Sequence, residues 1–314
     1  MSALAETFDL AEQLARLAEG TAWRAEDPDR KTRRADRLCG PAPGGRAEPE
    51  VDEVLERVLD DPDLRPLHWL SGGLRVAAAV GLVDGPLGNG TGFLVAPWLL
   101  MTNNHVLPTE DAAASATVRF GYQQQENGDV IGVQEVGADP ARFFVTSGED
   151  RLDYTVVAVG PLPRSSDAPG DVLGTIPLVG AIGKILEGEP INIIQHPAGR
   201  PKEIAFRNNR LIKLVDDDVL TYSTDTDRGS SGAPVLNDQW ELVGLHRFSV
   251  EATDAHGRRV DRTGRPVGPD TPATLRVWTA NKGSRASAIV RDLTARSYDG
   301  ERAALAAALL RGGG

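Results

Sequence analysis

The chain has 314 residues, 40% of them hydrophobic and 25% charged, enough for one large domain or two ordinary ones with a sizeable core. Its 45 acidic residues outweigh 34 basic ones. The resulting formal net charge of −11 disfavours a nucleic-acid backbone or an anionic membrane surface as partner.

The opening "MSALAETFDLAEQLARLAEG" has early acids and no apolar core run, so it does not read as a secretory signal. Within it Leu4, Phe8, Leu10, Leu14 and Leu17 are spaced as on one face of a helix that ends near Gly20. Residues 25–49, charged and then rich in Pro and Gly, read as a linker. This stretch holds the single cysteine, Cys39, which excludes an intramolecular disulfide and reads as a buried thiol. "EVDEVLERVLD" (50–60) predicts a second short helix. Residues 1–65 thus read as a helical N-terminal region with a linker, too short to bury a large core alone.

From about residue 72 short apolar runs follow one another: "LRVAAAVGLV", "GTGFLVA", "WLLMTNNHVL", "ATVRFGY", "DYTVVAV", "PINIIQH", "KEIAFRNNRLIKLV", "VLTYST" and "QWELVGLHRF". Gly, Pro, Asp and Asn separate them, a rhythm that predicts an all-β barrel or sandwich and not alternating βα units. Residues 250–272 read as a polar loop, and "SRASAIVRDLTARS" and "GERAALAAALLRGGG" as C-terminal helices with a frayed end. The boundaries implied are 1–65, a main domain over 66–296, and a tail over 297–314. No stretch approaches the ~18 apolar residues that cross a bilayer. A soluble, cytoplasmic protein is expected.

Attack by a serine needs a base for the hydroxyl proton, an acid that holds the base, and amides for the oxyanion. "TDRGSSGAPV" (226–235) offers Ser230 and Ser231 between glycines that permit a tight turn, with the Gly229 and Ser231 amides able to aim at one point. Among the five histidines, His105 follows an apolar strand and an Asn-rich turn in "TNNHVL", where it could serve as base. His68, His196, His246 and His256 are the others, and any one of them alone reads as structural or exposed. Asp153 stands just before the buried run "YTVVAV", as either an orienting acid or a strand-start residue. "DDD" (216–218) reads as a hairpin tip. No Cys/His spacing suggests zinc and no Gly-rich loop leads into a helix as a phosphate cradle, so no metal or cofactor is expected.

Taken together, "GTGFLV…TNNHV", "LDYTVVAV" and "TDRGSSGAPV" resemble the trypsin-like serine peptidases of the chymotrypsin fold, in their order His, Asp, Ser. The bacterial members with Glu-specific, staphylococcal-type relatives are the nearest pattern. The resemblance spans roughly residues 72–292 and implies two antiparallel, six-stranded-type β-barrels with the site in the cleft between them. By it Ser231 is the nucleophile, His105 the base, Asp153 the orienter, and Gly229 and Ser231 the oxyanion hole. Digestive relatives carry an aspartate where this chain has Ser230, so activation through a new N-terminus is not expected.

Two residues point the substrate pocket in opposite directions. His246, in "VGLH", stands where Glu-preferring relatives place a histidine, and Asp225 stands where trypsin-type enzymes place the acid that binds Lys or Arg. Arg228 and Arg247 lie nearby and could help hold a negative side chain, although exposed arginines are usually solvated. Both specificities stay open at this point. The partners implied are a protein or peptide substrate and a regulatory partner acting through residues 1–65, with no nucleic acid and no membrane. Similar domains with helical N-terminal units occur in bacterial defence and programmed-death systems, which implies cleavage of a partner effector. The competing class is a protease-like fold kept for binding without catalysis.

Overall fold

The computed structural model describes residues 10–59, 64–224, 229–251, 258–261, 265–268, 271 and 278–311. Asp225, Arg228 and His256 fall outside them, as do residues 4–9 of the first predicted helix. Helix α1 (Leu10–Ala18) ends as expected before Gly20.

The segment read as a linker is not one. Helix α2 (Pro28–Cys39) occupies its first half. The Asp27 carboxylate accepts from the amides of Asp29 and Arg30 at 3.0 and 3.2 Å, and Pro28 begins the helix. Charged residues that looked solvated are tied down. Lys31 is 2.9 Å from Asp52, and Arg34 grips Glu189 with Nε and Nη2 at 2.8 and 2.5 Å. Cys39, at the last turn of α2, is exposed and not buried. Helix α3 (Glu48–Leu59) packs on α2, and Trp23, Ala35, Val51 and Leu55 close over Leu186 of the main domain. The N-terminal unit therefore completes its core with a residue that is not its own.

Helix α4 (His68–Ala78) contains what the sequence suggested was the start of a β-run. Its orientation explains the mistake. Gly72 and Gly73 face inward against the Trp240 ring, where an added Cβ would lie 2.7 Å from ring atoms. Leu67, Leu70 and Leu74 face outward. The helix thus lacks the apolar inner stripe that marks an ordinary amphipathic helix.

The chain then enters a closed barrel formed by β1 (Val80–Gly85), β2 (Gly88–Ala96), β3 (Leu99–Thr102), β4 (Thr117–Phe120), β5 (Gln134–Ser147) and β6 (Tyr154–Val159). They are ordered β1-β2-β3-β6-β5-β4, all antiparallel, with β1 pairing to β4 to close the ring. Register places Leu94, Leu100, Phe120 and Val157 on one face of the barrel wall and Phe93 and Met101 on the other, and all are buried in the main core. Closure removes the exposed edges that a short sheet would present.

The second sheet contains β7 (Asn192–Gln195), β8 (Glu203–Ala205), β9 (Arg210–Leu214), β10 (Val219–Ser223), β11 (Pro234–Leu236), β12 (Leu242–Glu251) and β13 (Trp278–Arg285). Its order is β8-β7-β11-β12-β13-β10-β9. It is a curled seven-stranded sheet and not a closed six-stranded barrel, although a single bridge between Pro190 and Arg210 draws its two ends together. The mostly β, two-barrel architecture of the chymotrypsin type is thus present, with the second barrel open. The acidic run 216–218 is the β9–β10 turn, as read, with Asp216 accepting from the amides of Asp218 and Val219. Helix α5 (Glu110–Ala114) lies in the β3–β4 connection of the first barrel, and α6 (Pro169–Leu173) in the link from β6 to the second sheet. Helices α7 (Ala286–Thr294) and α8 (Gly300–Leu310) follow β13 and pack against the main core. Among the described residues no helix is long and apolar enough to cross a membrane.

Candidate active site

Three loops converge where the barrels meet. The first follows β3. Leu99 to Met101 are buried core residues, and Thr102 fixes the strand end by donating to the Thr91 carbonyl at 2.7 Å. The Asn103 side chain then donates to the Asp153 carbonyl at 2.8 Å, which carries the chain across to the second loop. His105 sits on the turn that follows, partly exposed.

The second loop, residues 148–153, enters β6. Asp153 has φ +45°, a left-handed backbone that is uncommon outside glycine and costs about 1 kcal/mol or more. It is held there by four contacts. Its amide donates to the Gly148 carbonyl at 3.0 Å, and its carbonyl accepts from Asn103. The Ser284 hydroxyl donates to the Leu152 carbonyl at 2.6 Å, and Arg247 donates to the Arg151 carbonyl at 3.0 Å. The outcome is a fully buried carboxylate aimed at His105. Asp153 Oδ2 lies 2.9 Å from His105 Nδ1, and Oδ1 accepts the His105 amide at 3.1 Å.

The third loop carries Gly229, Ser230 and Ser231. Gly229 and Gly232 have φ +88° and +86°, a region suited to glycine. Neither position has room for a side chain. A Cβ on Gly232 would fall 2.1 Å from the Thr91 carbonyl oxygen, and one on Gly229 2.7 Å from the His196 carbonyl oxygen. The loop's carbonyls are engaged: Gly229 O accepts from the Thr91 hydroxyl, Ser230 O from the Ala233 amide, and Ser231 O from the Thr91 amide. Thr91, on β2, thus clamps the serine loop to the first barrel, a role the sequence reading missed. Its only signal was a polar residue between two glycines of "GNGTGF". The Ser231 hydroxyl donates to the Arg247 carbonyl at 3.3 Å. Ser230 is fully buried beside it.

His246 lies on β12, 2% exposed, with Nδ1 2.6 Å from the Tyr222 hydroxyl. Burial first, and then the nearby His105, push its pKa down to about 3, against a smaller opposing pull from Asp153. It is therefore a neutral imidazole at physiological pH. Burial also raises the Tyr222 phenol well above its ordinary value, so that hydroxyl keeps its proton. Arg247 is not the solvated arginine of one of the two sequence readings. Its side chain is 2% exposed and turns under the Asp153 loop, with Nε 3.5 Å from Asp153 Oδ2. A charged residue in the middle of the buried run "LVGLHRF" was the available signal. His196 is structural, as read: it is buried, its ring nitrogen Nδ1 donates to the Arg200 carbonyl at 3.0 Å, and the ring stacks on Tyr122. His68 is exposed at the start of α4. No group of three or more metal-ligating side chains occurs among the described residues.

Residues 90–245 match the family model described as the trypsin-like peptidase domain. Over these residues the chain carries a trypsin-like peptidase domain, which agrees with the two-barrel fold. The uncharacterized protein y4fB of Sinorhizobium fredii (strain NBRC 101917 / NGR234) is 36% identical over 271 residues, which are 80% of this chain and 41% of that protein. The chain thus spans about two fifths of that relative's length. Among solved structures, an inactive form of the Rv3671c protease is 18% identical with a TM-score of 0.45, covering 73% of this chain and 95% of that one. A Glu endopeptidase in complex with MPD is 18% identical with a TM-score of 0.44, covering 69% and 90%.

Proposed function

We propose that the chain is a serine endopeptidase in which His105, Asp153 and Ser231 act together. The observation that carries this reading is the His105–Asp153 pair beside the Gly229–Ser231 loop, inside a domain of the trypsin-like peptidase family. Asp153 accepts the Nδ1 proton of His105 and so leaves Nε2 as the free base. Nε2 takes the proton from the Ser231 hydroxyl as Oγ attacks the substrate carbonyl carbon. The imidazolium formed is stabilised by the buried carboxylate and then protonates the leaving amine. The amides of Gly229 and Ser231, whose carbonyl partners are fixed by Thr91, receive the oxyanion. The Ser231 bond to the Arg247 carbonyl is a resting contact. A hydroxyl reorients by χ1 rotation in picoseconds to nanoseconds, and catalytic hydrogen bonds tighten only with substrate bound.

For the pocket, His246 supports an acidic side chain before the scissile bond. With the Tyr222 hydroxyl donating to Nδ1, the neutral ring carries its proton on Nε2, a donor suited to a carboxylate. Asp225, the residue that would favour Lys or Arg, lies outside the described residues. The docked N-terminal unit supports a regulatory role for residues 1–65, and the resemblance to defence peptidases supports a partner effector as substrate. Incubating the full chain and its Ser231→Ala variant with casein tests the activity. Cleavage by the first alone supports the reading. Equal fragments from both, or none from either across a range of pH, favour the binding-module alternative or a contaminant.

A further inference from the structure

A buried guanidinium needs its donors met and its charge balanced. Arg247 meets the second need and part of the first at one place, since both Nη atoms are hydrogen-bonded and Nε, without a hydrogen bond, faces a carboxylate. Nη1 donates to the Arg151 carbonyl at 3.0 Å, Nη2 donates to the Glu149 carbonyl, and Nε faces Asp153 Oδ2 at 3.5 Å. Its own carbonyl accepts the Ser231 hydroxyl. One residue therefore touches the loop that carries Asp153, the carboxylate itself, and the serine.

Asp153 is 0% exposed. Its other partner, the His105 ring, is charged only when protonated. A carboxylate buried beside a neutral imidazole has no counter-charge, and an uncompensated buried charge is strongly destabilising. A guanidinium keeps its charge throughout, so Arg247 supplies the missing cation before the proton moves. Both Nη atoms are engaged by the Glu149 and Arg151 carbonyls and Nε faces Asp153, so the guanidinium is turned toward the carboxylate loop.

We propose that Arg247 is a positioning residue: it balances the Asp153 carboxylate in the resting enzyme and anchors the 148–153 loop, while its carbonyl holds the Ser231 hydroxyl until substrate arrives. This rests on the triad reading given above. It differs from a packing role in one respect, since the charge matters and not only the shape.

The test is steady-state kinetics on one cleavable peptide for the full chain and four variants: Arg247→Met, Arg247→Lys, Arg247→Ala and Ser231→Ala. Arg247→Met keeps length and loses charge. It is expected to lower kcat about a hundredfold with KM within about twofold. Arg247→Lys, which keeps the charge, is expected to retain at least about a tenth of kcat, and guanidinium ion in the tens of millimolar is expected to raise kcat of Arg247→Ala at least about tenfold over a sodium control. If the Met variant does not fold, the Lys variant and the rescue decide. A folded Met variant with full kcat overturns the proposal, and so does a Lys variant as poor as Ala with no rescue, which would mark a packing strut. Ser231→Ala separates the two readings: activity surviving in it sinks the triad, whatever Arg247 does.

Discussion

The Asp153 carboxylate meets His105 twice, through Oδ2 to ring Nδ1 at 2.9 Å and through Oδ1 to the backbone amide at 3.1 Å. The second contact fixes where the imidazole begins, and the first fixes which tautomer it holds. Replacing Asp153 by Asn keeps the shape but presents an amide that can donate to Nδ1 and select the wrong tautomer. Asp153→Asn is expected to lower kcat about 10³–10⁴-fold with KM little changed. Kinetics on a peptide substrate, with circular dichroism to confirm folding, checks this.

The serine loop has no tolerance for a methyl group at Gly232. Its positive φ and the 2.1 Å approach to Thr91 O combine strain with overpacking against backbone. Gly232→Ala is expected to cost about 3 kcal/mol of stability and to abolish cleavage. Urea denaturation reads the first and peptide hydrolysis the second. A Thr91→Val variant, which removes the hydroxyl that donates to Gly229 O and accepts the buried His196 amide, is expected to lower stability by about 1–3 kcal/mol.

Arg34 ties the N-terminal unit to the main domain through a buried, two-pronged bond to Glu189, with a further bond from Nη2 to Gln239 at 2.7 Å. Arg34→Ala leaves Glu189 buried with its cation gone, and about 3–5 kcal/mol is expected to be lost. The combined Arg34→Met, Glu189→Gln variant is expected to recover most of that loss. Thermal melts of the three proteins test the difference.

The same interface contains a pH dependence. Burial raises the Glu26 carboxyl to about 7, helped by Glu187 and opposed by smaller pulls, including that of Arg30. A carboxyl whose folded pKa lies above its ordinary 4.5 binds its proton more tightly in the folded chain. Its favourable contribution is complete below pH 4.5 and is lost as pH rises through about 7. Glu26→Gln is therefore expected to raise Tm at pH 8 and to leave it unchanged near pH 4.5. Melts of both proteins across this range check the sign.

That His105, Asp153 and the Gly229–Ser231 turn stand at strand ends or in loops was legible in order and spacing. "TNNHV", "LDYTVV" and "GSSGAP" each end or interrupt a buried run, so their polar residues had to lie at strand ends or loops, where chemistry can occur. The peptidase-like alternation of short strands was legible for the same reason. What escaped was anything set by tertiary partners. Residues 28–39 look solvated until Glu189 and Asp52 are seen to receive Arg34 and Lys31. Helix α4 hides because its inner face is glycine, chosen for Trp240 and not for hydrophobicity. Strand β5 was missed because its residues alternate between exposed and buried with polar side chains such as Gln134, Glu135 and Asp139. Arg247 looked like a pocket cation or a solvated one because sequence shows neither its burial nor Asp153 beneath it. The second barrel's open form depends on strand pairings that no local pattern encodes.

The central claim is that Ser231 is a nucleophile made reactive by His105. A fluorophosphonate probe added to the full chain, to Ser231→Ala and to His105→Ala, followed by mass spectrometry of the modified peptide, tests it most directly. The account predicts one adduct, on Ser231, formed in the unaltered chain, absent in Ser231→Ala and slowed about 10³-fold or more in His105→Ala. Labelling that persists in Ser231→Ala, or that is equally fast without His105, would contradict it.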